Sequence, residues 1–279
     1  MSDSTMTRSP TTESVARTAG PSALPIQDLA DPQRLPTFFI LGAAKAATSS
    51  ICQILASHPQ IYFAPNKEPT FFNDDTKWNT VGLTEYMHLY DGSDGALFRG
   101  DGSNRYTMRE LWPNTAWRIR EIVPTARLAY VVRDPLSRIQ SYWLEKRSHG
   151  GESVHWDFNV SVRRDRHWLV DSTNYLKQLR AYQEFFSPEQ IRVFFYEEFA
   201  AHPQMVVTDL IKHIGADPSL ISLEEIPHIN DSVSKAYVRP ALSRARMLPA
   251  WPAVKAVMSK RLRKWLVRRI GMTTGRPQK

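Results

Sequence analysis

Three short stretches of this 279-residue sequence bring together side chains that can hold an anion or move a proton. The first is Gly42-Ala43-Ala44-Lys45-Ala46-Ala47-Thr48-Ser49-Ser50, which combines small residues that let backbone N–H groups approach an anion with a lysine and three hydroxyls. In composition this is a phosphate cradle. It is not a Walker A loop, whose lysine directly precedes the hydroxyl residue, because Lys45 is three residues ahead of Thr48. The second stretch is Lys67-Glu68, a cation beside a carboxylate able to take a proton. The third is Arg133, followed at once by Asp134-Pro135 and eight residues later by Ser141. Each has a plainer reading. The small-residue turn can serve only tight packing, Lys67 can be a solvated surface lysine, Arg133 can pair with Asp134 at a helix start, and Ser141 can be a helix-surface hydroxyl.

The flanking elements decide where these groups sit. Phe38-Phe39-Ile40-Leu41, after Pro36, is a continuous apolar run suited to a strand buried on both faces of a parallel sheet. Ile51, Ile54 and Leu55 give the core stripe of a following helix, capped by Thr48 or a neighbour and ending near His58-Pro59. Residues 60–63 read as a second strand, so the segment is a compact βαβ unit with a right-handed crossover. Ala126 to Val132 is another apolar run, after which Asp134 can cap a helix opened by Pro135. Tyr175, Leu176, Leu179, Tyr182, Phe185 and Phe186 recur at helical spacing, Ile191 to Phe195 reads as a fourth strand, and Val206, Leu210, Ile211 and Ile214 mark one more helix. Strands alternating with helices predict an α/β fold built on a parallel, doubly wound sheet. Ligands of such sheets bind beyond the carboxyl ends of the strands, and Lys45, Lys67-Glu68 and Arg133 each follow one.

An apolar content of 42% with 11% aromatics supplies a core for one full domain and excludes a mainly disordered chain. Residues 1–36, rich in Ser, Thr, Pro and Ala, read as a flexible leader outside that domain. The single cysteine, Cys52, excludes an intrachain disulfide framework and a Cys-cluster metal site and fits a reducing compartment. Without an apolar run of ~18 residues or a signal-peptide core, a cytoplasmic address is expected. His58, His155 and His228 form no metal-ligand pair with carboxylates, so no metal is expected. The formal charge of +8 is unevenly placed: residues 235–279 hold 13 Lys and Arg and no acid, while the rest holds 23 basic against 28 acidic side chains. The excess therefore marks a C-terminal surface and gives the body no nucleic-acid-binding character.

The three stretches in register resemble the sulfotransferases that use 3′-phosphoadenosine 5′-phosphosulfate (PAPS), especially the bacterial and heparan-sulfate-type branch. The family pattern is a strand ending in G-x-x-K-x-G-T-[ST], a K/N-E-x-x-F-F segment, then a strand followed by R-D-P-x-x-R-x-x-S. Here these read Gly42 to Ser49, then Lys67-Glu68-Pro69-Thr70-Phe71-Phe72, then Arg133-Asp134-Pro135-Leu136-Ser137-Arg138-Ile139-Gln140-Ser141. The likeness runs from about Pro36 to Arg239. The chain departs from the pattern in three places: Ala47 stands where the family has glycine, Thr70 where heparan-type members have histidine, and Gly100-Asp101-Gly102-Ser103-Asn104-Arg105-Tyr106 lacks the proline of the family's G-E-x-S-P-x-Y segment.

The resemblance implies a P-loop-like three-layer αβα domain over residues 37–240 that transfers a sulfuryl group, without a metal, to an acceptor hydroxyl or, as second choice, an amine. The acceptor set is a small molecule, a glycolipid or a carbohydrate. Such a transfer needs a base and a group that follows charge onto the leaving phosphate. Glu68 is the expected base and Lys45 the leaving-group stabiliser, with the N–H groups of Ala46, Ala47, Thr48 and Ser49 and the last two hydroxyls holding the 5′-phosphate. By resemblance Arg133 and Ser141 take the 3′-phosphate, and Lys235 and Arg239 belong to a segment covering the cofactor. Lys67, Phe72, Ser103 and Tyr106 are expected at the substrate, and Trp78, Trp112, Trp156 and Trp168 offer surfaces for a sugar or lipid.

Residues 241–279 read as a basic amphipathic helical extension, with Val254, Val257, Met258, Leu262, Trp265, Leu266 and Ile270 on one face. It can pack on the domain or make peripheral contact with an anionic membrane. Two other functions compete with sulfuryl transfer. A nucleotide or nucleoside kinase would need a Walker lysine and a magnesium-binding acid, and a non-catalytic basic-tailed membrane-binding adaptor would bind ligands through residues 240–279 and be indifferent to Lys45.

Overall fold

A computed structural model of the protein describes residues 29–148, 154–155, 157–222, 237–238 and 272–273. Strands β1 (Phe38–Ile40), β2 (Ile61–Phe63), β3 (Phe98–Asp101), β4 (Arg127–Val132) and β5 (Ile191–Phe195) form one parallel sheet in the order β2-β3-β1-β4-β5. The helices are α1 (Thr48–Ala56), α2 (Thr80–His88), α3 (Thr115–Ile122), α4 (Pro135–Ser148), α5 (Phe158–Arg164), α6 (Arg166–Leu169), α7 (Tyr175–Gln183), α8 (Tyr196–Ala201) and α9 (Pro203–Ile214). All three residues of β1 and residues 128–132 of β4 are buried, as central strands must be when helices cover both faces of a sheet. Helix α1 packs on α9 and α3 on α7. A second apolar cluster, with Ala44, Met108, Ile139, Tyr142, Trp143 and Leu169, joins the loop after β1 to α4 and α6.

The apolar runs became the strands and stripes they predict, and four local expectations did not hold. Strand β3 lies between β1 and β2, so the first βαβ unit skips a place in the sheet. Its sequence, Phe-Arg-Gly-Asp, has no apolar run because neighbours satisfy its polar residues. Arg99 donates to the carbonyls of Leu35 (2.7 Å) and Pro32 (3.2 Å), and Asp101 accepts from the hydroxyls of Tyr86 and Tyr106, both at 2.8 Å. Gly100 fits only as glycine, since a Cβ would lie 2.5 Å from the Phe38 ring and 2.6 Å from that of Phe63. Those contacts with Arg99 also order the last part of the expected leader: a 3-10 turn spans Pro32–Arg34 and Leu35 is buried in the core.

Thr48 does not cap α1. The N-cap is Ala47, in a left-handed conformation and without a side-chain cap. The helix around residues 172–186 is α7 preceded by a 3-10 turn, and its buried face carries Gln178, Ala181 and Tyr182 while Leu176 is exposed. Gln178 takes a core place because its amide is satisfied there, accepting from the Arg109 N–H (2.8 Å) and donating to Glu110 (2.9 Å). Asp134 does cap α4, its carboxylate accepting from the Ser137 N–H at 2.8 Å, and the Ser137 hydroxyl together with that N–H pulls its pKa below the usual range. Beyond residue 222, β6 (Tyr237–Val238) pairs antiparallel with β7 (Met272–Thr273) and packs against α4. Lys235, Arg239 and the helix expected over residues 251–270 lie outside the described residues.

Candidate active site

Strand order reverses at β1, whose neighbours are β3 on one side and β4 on the other, and the loops leaving β1 and β4 diverge there. The loop after β1 is held down along its length. The Ala43 N–H donates to Val131 O (2.6 Å), the Val131 N–H to Gly42 O (2.8 Å), and buried Arg138 sends its Nε to Ala44 O (3.1 Å). Gly42, at φ +134°, lies so close to the Asn104–Thr107 turn that a Cβ would stand 2.6 Å from Thr107 Oγ1. Lys45 (φ 75°) and Ala47 (φ 62°) are left-handed, which turns the chain sharply into α1. With no side chain capping that helix, its first N–H groups offer donors and a positive dipole end at the carboxyl edge of the sheet.

Arg133, at the end of β4, sends Nη1 to Lys45 O (2.9 Å), lies over the Tyr196 ring at 4.2 Å, and has its own carbonyl held by the Tyr175 hydroxyl (2.8 Å). Its Nε is buried without a hydrogen-bond partner, as is the Ser141 hydroxyl oxygen on α4. The capping ion pair with Asp134 does not form, since Asp134 accepts from the Ser137 N–H. Lys45 is ion-paired with Glu145 of α4, a residue that no motif marks.

Glu68 lies in the loop after β2, beside the start of α1. Its Oε1 accepts from Lys67 Nζ (3.0 Å) and from the Asn104 amide (2.8 Å), and Lys67 Nζ also reaches Thr48 Oγ1 (3.4 Å). Lys67 therefore bridges the carboxylate and the start of α1. Its stem passes over Gly102, where a Cβ would stand 3.3 Å from the lysine methylenes and 2.7 Å from Cys52 Sγ. Burial pushes the Cys52 thiol up to about 12, so it is a packing group and no nucleophile. Asn104 occupies the place of the family's proline. A residue missed as functional, it is signalled by that replacement alone.

Three expected substrate residues take no part in a cleft. Phe72 is buried among Phe39, Phe71, Tyr86 and Tyr106; the Ser103 hydroxyl accepts from the Thr70 N–H (3.1 Å); and the Tyr106 hydroxyl donates to Asp101, whose carboxyl burial holds above its usual range. They pack the floor that carries Asn104. Trp78 packs on Phe71 and under Arg118, whereas Trp156 lies outside the described residues. Trp112 and Trp168 meet edge to face at 5.7 Å, with Arg105 over Trp112 (5.8 Å) and Lys146 over Trp168 (4.5 Å) and Tyr142 (5.2 Å). Burial, with the nearby charge of Arg105, holds Lys146 below the usual lysine range. The Tyr142 phenol, raised to about 12 by burial, feels the charges of Arg138, Arg105, Glu145 and Glu68. The cation-lined aromatic wall and the Glu68–Lys45 centre thus share one neighbourhood.

A three-layer αβα domain with an anion cradle at its switch point is the class this fold and site define. Residues 36–219 match the sequence model of the sulfotransferase family, and the chain belongs to that family. It is 24% identical over 207 residues to the mouse bifunctional heparan sulfate N-deacetylase/N-sulfotransferase 3, a match covering 66% of this chain and 23% of that protein. It is also 24% identical over 151 residues to rat carbohydrate sulfotransferase 15, covering 39% of this chain and 27% of that one. The chain thus spans about a quarter of the length of these curated relatives. Among solved structures, a sulfotransferase from Alicyclobacillus acidocaldarius superposes with a TM-score of 0.59 at 26% identity, covering 82% of this chain and 99% of that one. The P-loop-like αβα fold is common to both.

Proposed function

We propose that the chain transfers a sulfuryl group from PAPS to a hydroxyl of a carbohydrate acceptor, free sugar or glycolipid, with an amine as second choice. The donor assignment is carried by two of the buried polar atoms without partners, Arg133 Nε and Ser141 Oγ, which lie on the strand end and helix expected to take the 3′-phosphate. An unsatisfied buried polar atom costs about 1–3 kcal/mol, so an anion that completes both is favoured over water or an apolar group. The uncapped start of α1 fits the 5′-phosphate equally well.

The donor supplies a sulfuryl group bound to a phosphate leaving group. Glu68, oriented by Lys67 and Asn104, accepts the hydroxyl proton while the acceptor oxygen bonds to sulfur. The sulfur–oxygen bond to the 5′-phosphate breaks, and its electron pair stays on the phosphate, where Lys45, the N–H groups of residues 46–49 and the Thr48 and Ser49 hydroxyls offset the charge. Trp112 and Trp168 offer stacking faces to sugar C–H groups, and Lys146 and Arg105 offer donors to ring substituents. Two relatives named for heparan sulfate and carbohydrate support that acceptor class.

Calorimetric titration with 3′-phosphoadenosine 5′-phosphate (PAP), in EDTA and with Mg-ATP as competitor, tests this reading. Metal-independent binding, weakened about 10–100-fold in Arg133→Ala, is the expected result. A preference for Mg-ATP would overturn it in favour of a nucleotide kinase.

A further inference from the structure

The groups of the donor wall are not equally open. Arg133 Nε and Ser141 Oγ have no partner and α1 has no side-chain cap, yet Lys45, its side chain only 13% exposed, is ion-paired with Glu145. The covered group is the one assigned to the leaving phosphate, while the groups assigned to binding stand ready. Glu145 lies four residues beyond Ser141, on the same face of α4, and outside the motif that ends there. The backbone fixes this arrangement from both sides, since Arg133 holds Lys45 O and Arg138 holds Ala44 O. A carboxylate and a phosphosulfate cannot share one ammonium at contact distance without strong repulsion in a half-buried site.

We propose that Glu145 is an internal stand-in for the donor's 5′-phosphosulfate: it holds Lys45 in the donor-free chain and is displaced when the donor binds. This rests on the PAPS reading above and adds to it a positioning residue that acts through Lys45. Separating the ion pair weakens donor binding below what the open groups alone would give. Lys45 is then released to follow charge onto the bridging oxygen only in a loaded site.

Glu145→Gln keeps the size and hydrogen-bonding capacity of the side chain and removes its charge. The expected result is PAP binding roughly tenfold tighter than wild type, with no such gain when Lys45→Met is already present. Glu145→Asp should return affinity toward wild type. An independent readout is the acylation rate of Lys45 by an N-hydroxysuccinimide ester, followed by peptide mass spectrometry. Without PAP, Lys45 should react several-fold faster in Glu145→Gln than in wild type, and PAP should protect it in both. If wild type binds PAP and Glu145→Gln, melting as wild type does, binds it no more tightly, the stand-in role is overturned and the donor assignment survives. Equal labelling of Lys45 in the two proteins overturns it as well. If neither protein binds PAP, the donor assignment fails and the stand-in role falls with it. Should Glu145→Gln fail to fold, labelling of Lys45 in Glu145→Asp decides.

Discussion

The two walls of the site are built in different ways. The donor wall is made of backbone and strand ends: a loop pinned to β4, a helix start without a cap, and an arginine placed by the last residue of a strand. The acceptor wall is made of side chains holding side chains, with Glu68 between Lys67 and Asn104, Lys146 over Trp168 and Tyr142, and Arg105 over Trp112. A wall of the first kind can accept only what matches its fixed donors. A wall of the second kind can change its ligand by exchanging surface residues while the sheet stays as it is. Lys45 apart, since it acts on the leaving phosphate, donor and acceptor variants should therefore separate, the former acting on nucleotide affinity and the latter on turnover.

Glu68→Gln makes the largest break. It removes the proton acceptor and leaves the cradle intact, so kcat should fall about 10²–10⁴-fold while PAP affinity in calorimetry stays within about threefold of wild type. Arg133→Ala is the converse. Losing a charge-assisted contact to the 3′-phosphate should weaken PAP binding about 10–100-fold while kcat at saturating donor changes little. If either variant moved both quantities equally, the two walls would be one coupled unit.

Asn104→Ala tests whether the acceptor wall depends on mutual side-chain support. A hydrogen bond to a charged group is worth about 1.5–3 kcal/mol, and removing this one leaves Glu68 held by Lys67 alone. Turnover should drop about tenfold with PAP affinity unchanged. A variant as active as wild type would mean that Lys67 alone orients the carboxylate.

The same contrast explains what could be read before the structure was known. The places of Lys45, Arg133 and Ser141 in the fold were legible because strand ends and helix starts fix a residue's place from local pattern, and apolar runs reveal strand ends. Strand β3 was not legible, since Arg99, Gly100 and Asp101 are accommodated by Leu35, Phe38 and two tyrosine hydroxyls distant in sequence. Nor was Glu145, whose ion-pair partner Lys45 lies one hundred residues away. Ser103 and Tyr106 were placed at the substrate because a motif gives position and not the direction of a side chain. Both point inward, where Thr70 and Asp101 use their hydroxyls.

The smallest effect belongs to the donor wall's backbone. Ala47 sits at φ 62°, ψ 16°, where an L-residue pays about 1–2 kcal/mol that glycine does not. Glycine in turn loses about 0.5–1 kcal/mol more conformational freedom on folding. The balance favours Ala47→Gly by up to about 1.5 kcal/mol, or at most roughly 3–6 °C in Tm for a domain of this size. The Ala47 methyl opposes this through its partial packing on the main core. A fall in Tm would show that this contact outweighs the backbone strain. A rise in Tm with PAP affinity unchanged within about threefold would show that the cradle keeps its shape with either residue, so that Ala47 affects the stability of the donor wall and leaves its chemistry alone.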